Sequence, residues 1–380
     1  MSILHIITST DVGGSERMLQ KLILNSRNKG NHSILSLKPI GAIGQELIDA
    51  GVNVYSLDIN KLHSILHSWK MISKIIRIEK VELIQTWLYH ADLFGSVIGL
   101  FFRLPVVWNI RQTKFDNNDP IVTKIIMKLC AVLSYFIPVK IICAANASAL
   151  QHKKYGYKYL KMHVISNGFL DNIGMVPPQA ILELKEKLKL SQSDLVIGAV
   201  GRYHPIKDYD TFLNASKDLA IIYPQAKFLL VGRDLDYNNI ELCNKIRSLN
   251  IQDKVILVGE QIDINPYLLS MDAFCLTSIS EGFPNVLAEA MIMAIPSFST
   301  KCGDAQIILN DSNFLVEIGD YKTLAASLIK FFNLNNDDRA EIGKQQRAIV
   351  LKNYSIAKIV DQYWEVYNII LKKQKSCVDL

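Results

Sequence analysis

The 380-residue chain has six cysteines, at positions 130, 143, 243, 275, 302 and 377, but no Cys-x-x-Cys pair. Several of them lie inside apolar runs. The pattern therefore points to reduced thiols rather than a disulfide framework or a zinc site. Long apolar runs are also missing. The longest, Leu93 to Phe102, covers about half a membrane span, and the run Leu129–Ile142 is interrupted by Pro138 and Lys140, so no transmembrane helix is expected. The first residues lack the basic segment and long apolar core of a signal peptide, and Ile3–Ile7 reads as a first strand. Nor is there a continuous stripe of Lys, Arg and aromatic residues of the kind a nucleic-acid surface needs. These absences point to a reduced, cytoplasmic protein that uses no nucleic acid.

Apolar residues make up 49 % of the chain, enough for well-buried α/β layers. The length suits two domains of about 150–200 residues each. Short apolar runs alternate with amphipathic stretches throughout, the βαβ pattern of mostly parallel sheets. Charge is unevenly distributed. Residues 1–170 hold 20 Lys and Arg against 10 Asp and Glu, a balance of +10, and the remainder carries −4. A basic first half suggests an anionic partner, whether lipid headgroups, a lipid diphosphate or nucleic acid. The segments Leu62–Lys80 and Lys124–Lys140 interleave basic and apolar residues, and each reads either as a solvated domain face or as membrane contact.

The most informative stretch runs from Ser280 to Met291. It follows Ala273–Leu276, short and apolar enough for a buried strand. Pro284 suits a first helical turn, and nothing interrupts a helix from Asn285 to Met293. The amides at that helix start can hold a phosphate. Glu281 and Glu289, eight residues apart, are separated by up to ~12 Å along such a segment. That distance is close to the span of a nucleotide-sugar's pyrophosphate. Taken singly, either glutamate could be an ordinary helix residue, favoured by the dipole or by solvent.

The frame Glu281-Gly282-Phe283-Pro284-Asn285-Val286…Glu289-Ala290-Met291 resembles the paired-glutamate motif of retaining glycosyltransferases of family 4. The resemblance implies the GT-B fold: two facing Rossmann-like domains, a deep cleft between them, and a last helix crossing back to the first domain. It extends over nearly the whole chain. Gly13-Gly14, after strand one, resembles the family's Gly-Gly loop, with Gly14 toward the donor phosphate and Gly13 toward the acceptor. His90, in Tyr89-His90-Ala91, resembles the family's His-Ala segment, whose His faces the donor sugar. Arg202 and Lys207 match the family's Arg…Lys pair, and two cations in one loop can also clamp a diphosphate on chemical grounds. Arg111, at a strand end, suits an acceptor phosphate or a surface ion pair.

The sequence departs from the family at several points. Leu170 stands where an acidic residue is usual. Asp234 and Ala294 stand where Gly is frequent, and Gly303 is one of a usual pair. Asp234-Leu235-Asp236 matches a metal-binding Asp-x-Asp on paper, but such a match is common in polar loops, and no metal or other cofactor is expected.

The resulting expectation is an acceptor domain at 1–170, a donor domain at 171–355 with a linker at Asp171–Gln179, and a crossover helix and tail at 356–380. The expected catalytic residues are His90 and Glu281. Donor contacts are expected from Gly14, Arg202, Lys207, Gly282, Phe283, Asn285, Val286 and Glu289, and acceptor contacts from Gly13 and Arg111. The expected activity is retaining transfer of a hexose or N-acetylhexosamine from a UDP-sugar or similar donor to a glycan, plausibly linked to a lipid diphosphate, in bacterial surface polysaccharide synthesis. The enzyme would dock peripherally on the inner face of the cell membrane, an anionic surface. A UDP-N-acetylglucosamine 2-epimerase-like enzyme and a non-catalytic basic binding protein are the alternatives.

Overall fold

The computed structural model describes residues 1–57, 65–113, 120–171 and 173–378. Two compact units form, one from Met1–Gly168 with Ile356–Leu380 and the other from Phe169–Ser355.

The first unit has seven strands: β1 (Ser2–Ile7), β2 (Asn31–Ser36), β3 (Asn53–Ser56), β4 (Leu83–Trp87), β5 (Val106–Ile110), β6 (Lys140–Cys143) and β7 (Met162–Val164). They pair in parallel in the order β3-β2-β1-β4-β5-β6-β7. Every residue of β1, β4 and β5 is buried, as expected for strands covered by helices on both faces. One face packs against helices Gly14–Leu24, Ala42–Asp49 and Ile356–Val378, the last contributing Tyr363, Trp364 and Tyr367. The other packs against helices Ile65–Ile78, Tyr89–Phe102 and Ile121–Leu133. The chain's final helix is thus part of the first unit's core.

The second unit has β8 (Leu195–Val200), β9 (Ala226–Val231), β10 (Val255–Gly259), β11 (Ala273–Leu276), β12 (Ser297–Thr300) and β13 (Leu315–Val316). Their order is β10-β9-β8-β11-β12-β13, again all parallel. In both sheets the strand order reverses beside the first strand, between β1 and β4 and between β8 and β11. Open α/β sheets bind ligands at the carboxyl ends of such strands.

Some boundaries differ from the sequence reading. The first helix ends at Leu24, where the Asn25 side-chain amide donates to Lys21 O (2.8 Å) and closes the last turn. Gly13 is its N-cap, and the Ser15 hydroxyl donates to Glu16 (2.7 Å). The stretch expected to be a linker gives way at Pro178 to helix Pro178–Lys187, since a proline is tolerated in a first turn. The basic helix expected from Leu62 is described from Ile65 to Ile78, and residues 62–64 lie outside the described residues. No helix among the described residues is long and apolar enough to cross a membrane.

Candidate active site

In the second unit, β8 runs out into Gly201, whose φ is 157° and whose amide donates to Val231 O (2.9 Å). The exit turn of β9 presses on this loop. A Cβ on Gly232 (φ 144°) would lie 2.0 Å from Gly201 O, so only glycine fits there. The loop continues through the short turn Pro205–Lys207, where His204 Nδ1 accepts Ile206 N–H (3.2 Å). It ends at Asp208, whose carboxylate caps helix Tyr209–Ile222 through Thr211 N–H (3.2 Å). Tyr209 donates its hydroxyl to Gly201 O (3.0 Å), and Thr277 donates to Lys207 O (3.0 Å). Burial, and to a lesser extent Glu281, holds the Tyr209 hydroxyl above its ordinary pKa, so it remains a donor. The backbone bearing Lys207 is therefore fastened at both ends.

The facing wall follows β11. Ser278 and Lys207 converge on one oxygen of Glu281: the hydroxyl donates to Oε1 at 2.7 Å and the ammonium at 2.6 Å. The ion pair is largely shielded, with side-chain exposures of 20 % and 18 %. Helix Asn285–Ile292 begins at Pro284, which supplies no side-chain cap. Pro284 itself has no N–H, so it leaves one donor fewer to satisfy at the helix start. Gly303 (φ 51°) packs so close beneath the Glu281 turn that a Cβ would sit 2.4 Å from Glu281 O. Asp304 N–H donates to Gly282 O (3.0 Å). Phe283 is buried between Phe169 and Tyr354, with ring centroids at 5.8 and 5.2 Å.

Gly201, Lys207, Glu281, Phe283, Asn285, Val286 and Glu289 line one cavity of about 310 Å³, with Ile264 closing another side. Two glutamates eight residues apart thus share a wall. Arg202 is exposed and does not line this cavity, and Gly282 contributes backbone to the turn beneath it. Sequence reasoning passed over Gly201, Ser278 and Ile264. Gly201 ends the Gly-Ala-Val-Gly run, and Ser278 stands three residues before Glu281, so a signal for both was present. Ile264 gives none.

Asp234-Leu235-Asp236 is occupied with turn-making. Leu235 is buried, Asp236 Oδ1 accepts Asn238 N–H (2.8 Å), and Asp234 O accepts the Asn239 amide (2.8 Å). Among the described residues, no group of three or more His, Cys, Asp or Glu is arranged to hold a metal ion.

The first unit's candidates lie at the carboxyl ends of its central strands. Gly13 and Gly14 open the helix after β1, and space around Gly14 is open to 4 Å. His90 is the second residue of the helix after β4. Partial burial lowers its pKa, and the Lys38 charge adds to this, so both effects favour the neutral imidazole. Arg111 follows β5. Its guanidinium lies 5.7 Å from the Trp87 ring centroid and donates to Tyr363 OH (3.3 Å), to Asn109 Oδ1 (3.5 Å) and to Asn167 Oδ1. All of these acceptors are neutral.

Residues 194–333, most of the second unit, match the family model described as glycosyl transferases, group 1. Over these residues the second unit is similar to a group 1 glycosyl transferase domain. The cavity lined by Lys207, Glu281 and Glu289 lies within the matched residues of that domain. The chain is 24 % identical over 318 residues to the UDP-Gal:α-D-GlcNAc-diphosphoundecaprenol α-1,3-galactosyltransferase of Escherichia coli, covering 81 % of this chain and 80 % of that protein. It is likewise 24 % identical over 306 residues to the capsular polysaccharide biosynthesis glycosyltransferase CapM of Staphylococcus aureus, covering 78 % and 79 %. The structure of Anabaena Alr3699/HepE in complex with UDP matches with a TM-score of 0.82 at 23 % identity, over 97 % of this chain and all of that one. That likeness establishes the GT-B fold of two Rossmann-like units.

Proposed function

We propose that the chain is a retaining glycosyltransferase that moves a hexose or N-acetylhexosamine from a UDP-sugar to a glycan acceptor linked to a lipid diphosphate. The observation that carries this reading is the convergence of Lys207, Glu281 and Glu289 on one cavity beside a helix N-terminus. Nucleotide diphosphate recognition needs a cation, amides at a helix start and a hydroxyl acceptor, and Lys207, the start of helix Asn285–Ile292 and Glu289 are candidates for the three. The names of the similar proteins support the donor and acceptor classes: a UDP-galactose donor and a diphosphoundecaprenol acceptor in one, capsular polysaccharide synthesis in another.

In this reading Glu289 holds the ribose, while Asn285, Val286 and the Gly282–Phe283 backbone lie against the diphosphate. Lys207, with Arg202 as a second cation on the same loop, stabilises the charge that grows on the phosphate as the sugar–oxygen bond breaks. These charges and the helix amides suffice without a metal ion. The acceptor hydroxyl attacks the anomeric carbon on the face the diphosphate leaves, and its proton passes to the departing phosphate oxygen. The anomeric configuration is therefore retained. Glu281 orients sugar hydroxyls and stabilises positive charge at the anomeric carbon. Neutral His90 hydrogen-bonds a sugar hydroxyl. Arg111, whose acceptors Tyr363, Asn109 and Asn167 are neutral, takes the acceptor phosphate beside Gly13, while Gly14 stays clear for the donor phosphate. Because that acceptor sits in a bilayer, the enzyme works as a peripheral membrane protein on the cytoplasmic face.

Calorimetric titration with UDP, GDP and ADP tests the donor assignment. Binding of UDP well above the other two supports it, and absence of nucleoside diphosphate binding overturns it. Anomeric analysis of the product by NMR separately tests retention.

A further inference from the structure

One helix of the first unit is apolar on both sides. In Ile121–Leu133 the inward side chains are Met127, Cys130 and Ala131. Ile121, Val122, Ile125, Leu129 and Val132 are exposed, Ile121 to 75 %. At about 100° per residue these five fall within an arc of about 100°, opposite the buried three. A helix that is hydrophobic all round ordinarily has an apolar environment on every side.

The exposed arc has neighbours of the same kind. Phe136, just past the helix, is 78 % exposed. The adjoining helix Tyr89–Phe102 carries Phe101, 71 % exposed, whose ring meets Trp69 at 4.9 Å. Next to Tyr135 the chain returns through Tyr159 and Leu160, the latter 80 % exposed. Single exposed apolar residues are ordinary, but five along one face of a helix, with Phe136 just past its end, mark an interaction surface.

Charge identifies what the surface meets. From Pro120 to Leu170 the sequence holds seven lysines and no Asp or Glu in 51 residues. On the helix, Lys124 and Lys128 lie at the margin of the apolar arc. Farther along, Lys158 stands over the Tyr135 ring at 5.0 Å, and Lys161 donates to Tyr135 O (3.0 Å). Ammonium groups are thus held beside aromatic tips, the arrangement of chains that lie in a lipid headgroup layer. A protein partner would need an acidic surface shaped to these lysines, whereas an anionic bilayer supplies both requirements at once.

We infer that the Ile121–Phe136 face, with Phe101 and Leu160 beside it, is the surface by which the chain seats on anionic lipid. The apolar tips enter the acyl boundary and the lysines meet the headgroups. The inference deepens the proposed use of a membrane-linked acceptor and rests on that reading for its purpose. Its test does not depend on transfer activity.

The full-length protein is floated with vesicles of phosphatidylglycerol and phosphatidylethanolamine, and with phosphatidylcholine alone, at low and high salt. Wild type should float with the anionic vesicles at low salt, lose most of this binding at high salt and stay off the neutral ones. Ile125→Ser with Phe136→Ser, and separately Lys124→Glu with Lys128→Glu, should each reduce partitioning at least tenfold. UDP affinity and the thermal midpoint should stay unchanged, because these side chains are peripheral to the core. Wild-type binding by both variants, equal flotation with neutral vesicles, or no flotation of wild type overturns the inference. So does a concentration-dependent dimer, seen by sedimentation, that both variants abolish. If flotation behaves as expected but no nucleoside diphosphate binds, the transferase reading fails and the lipid surface stands.

Discussion

Lys207 Nζ and Glu281 Oε1 are 2.6 Å apart, although 74 positions separate the residues in the chain. One follows the first strand of the second sheet, the other follows the strand beside it, and Ser278 shares the same carboxylate oxygen. The proposed phosphate-binding cation and the proposed sugar-facing carboxylate are thus electrostatically coupled before any ligand arrives. Disturbing one should disturb the other.

Lys207→Ala should weaken UDP binding by ~1.5–3 kcal/mol, the worth of a charge-assisted contact. It also leaves the Glu281 carboxylate with a single neutral donor, so some loss of second-unit stability should accompany it. Calorimetry on a variant shown to be folded checks the first effect. Affinity equal to wild type would remove Lys207 from the donor site.

Turnover should respond differently from binding at the sugar end. Glu281→Gln should lower transfer by about a hundredfold or more and His90→Ala by at least about tenfold, with much smaller changes in UDP affinity. Radiolabel transfer measured beside calorimetry separates the two quantities. If either variant retained near-normal turnover, that residue's role in the chemistry would be abandoned.

Activity should survive excess EDTA, because in the proposed mechanism Lys207 and the helix amides meet the phosphate charge. Loss of transfer on chelation, with rescue by Mn²⁺ or Mg²⁺, would contradict this.

Two backbone positions should shift stability in opposite directions. Ala294 ends the helix from Asn285 with φ 58°, a conformation glycine adopts without cost. Ala294→Gly should therefore stabilise by about 0.5–1 kcal/mol. Gly232→Ala should cost roughly 2–4 kcal/mol, combining left-handed strain with a clash at Gly201 O. Urea denaturation monitored in the second unit reports both. Equal midpoints for the two variants would contradict the strain assigned to these positions.

Acid should weaken the first unit. His5 Nε2 and His32 Nδ1 lie 2.9 Å apart, His32 Nε2 meets Ser26 Oγ at 2.8 Å, and Trp87 donates to His5 Nδ1 (3.2 Å). Burial lowers the His32 pKa to about 4 and holds His5 well below its ordinary value, with the neighbouring His32 pushing the same way. Because the folded pKa lies below the unfolded one, this stability is complete above about pH 6.5 and is lost as pH falls toward 4. The His32 share amounts to roughly 3 kcal/mol. Denaturant titrations at pH 7.5, 6 and 5 should show the decline, with a shallower slope in His32→Asn. A slope unchanged by that substitution would place the acid sensitivity elsewhere.

The alternation of apolar runs made both parallel sheets readable, because strands buried on two faces leave almost no polar interruption. The Glu281–Glu289 frame was readable because a strand, a turn and a helix start lie within a dozen residues. What the sequence hid was mostly long-range. The Lys207–Glu281 bond depends on two strands becoming neighbours, and Gly232 is constrained by Gly201, far from it in the chain. Arg202 illustrates the reverse: motif spacing paired it with Lys207, yet its side chain is exposed outside the cavity wall. Asp234 and Ala294, which had looked like departures from a glycine pattern, both have positive φ, at 63° and 58°. The backbone demand persists where the residue has changed.

The first unit borrows its last helix from the far end of the chain. Tyr363 and Tyr367 are fully buried there, and their hydroxyls hold Asn109 and Gln85 on two of its central strands. During synthesis the ribosome completes the other unit while this helix is still untranslated. The nascent first unit must therefore wait with an open apolar flank, and a ribosome stalled anywhere before residue 356 releases a polypeptide whose initial half has no finished interior.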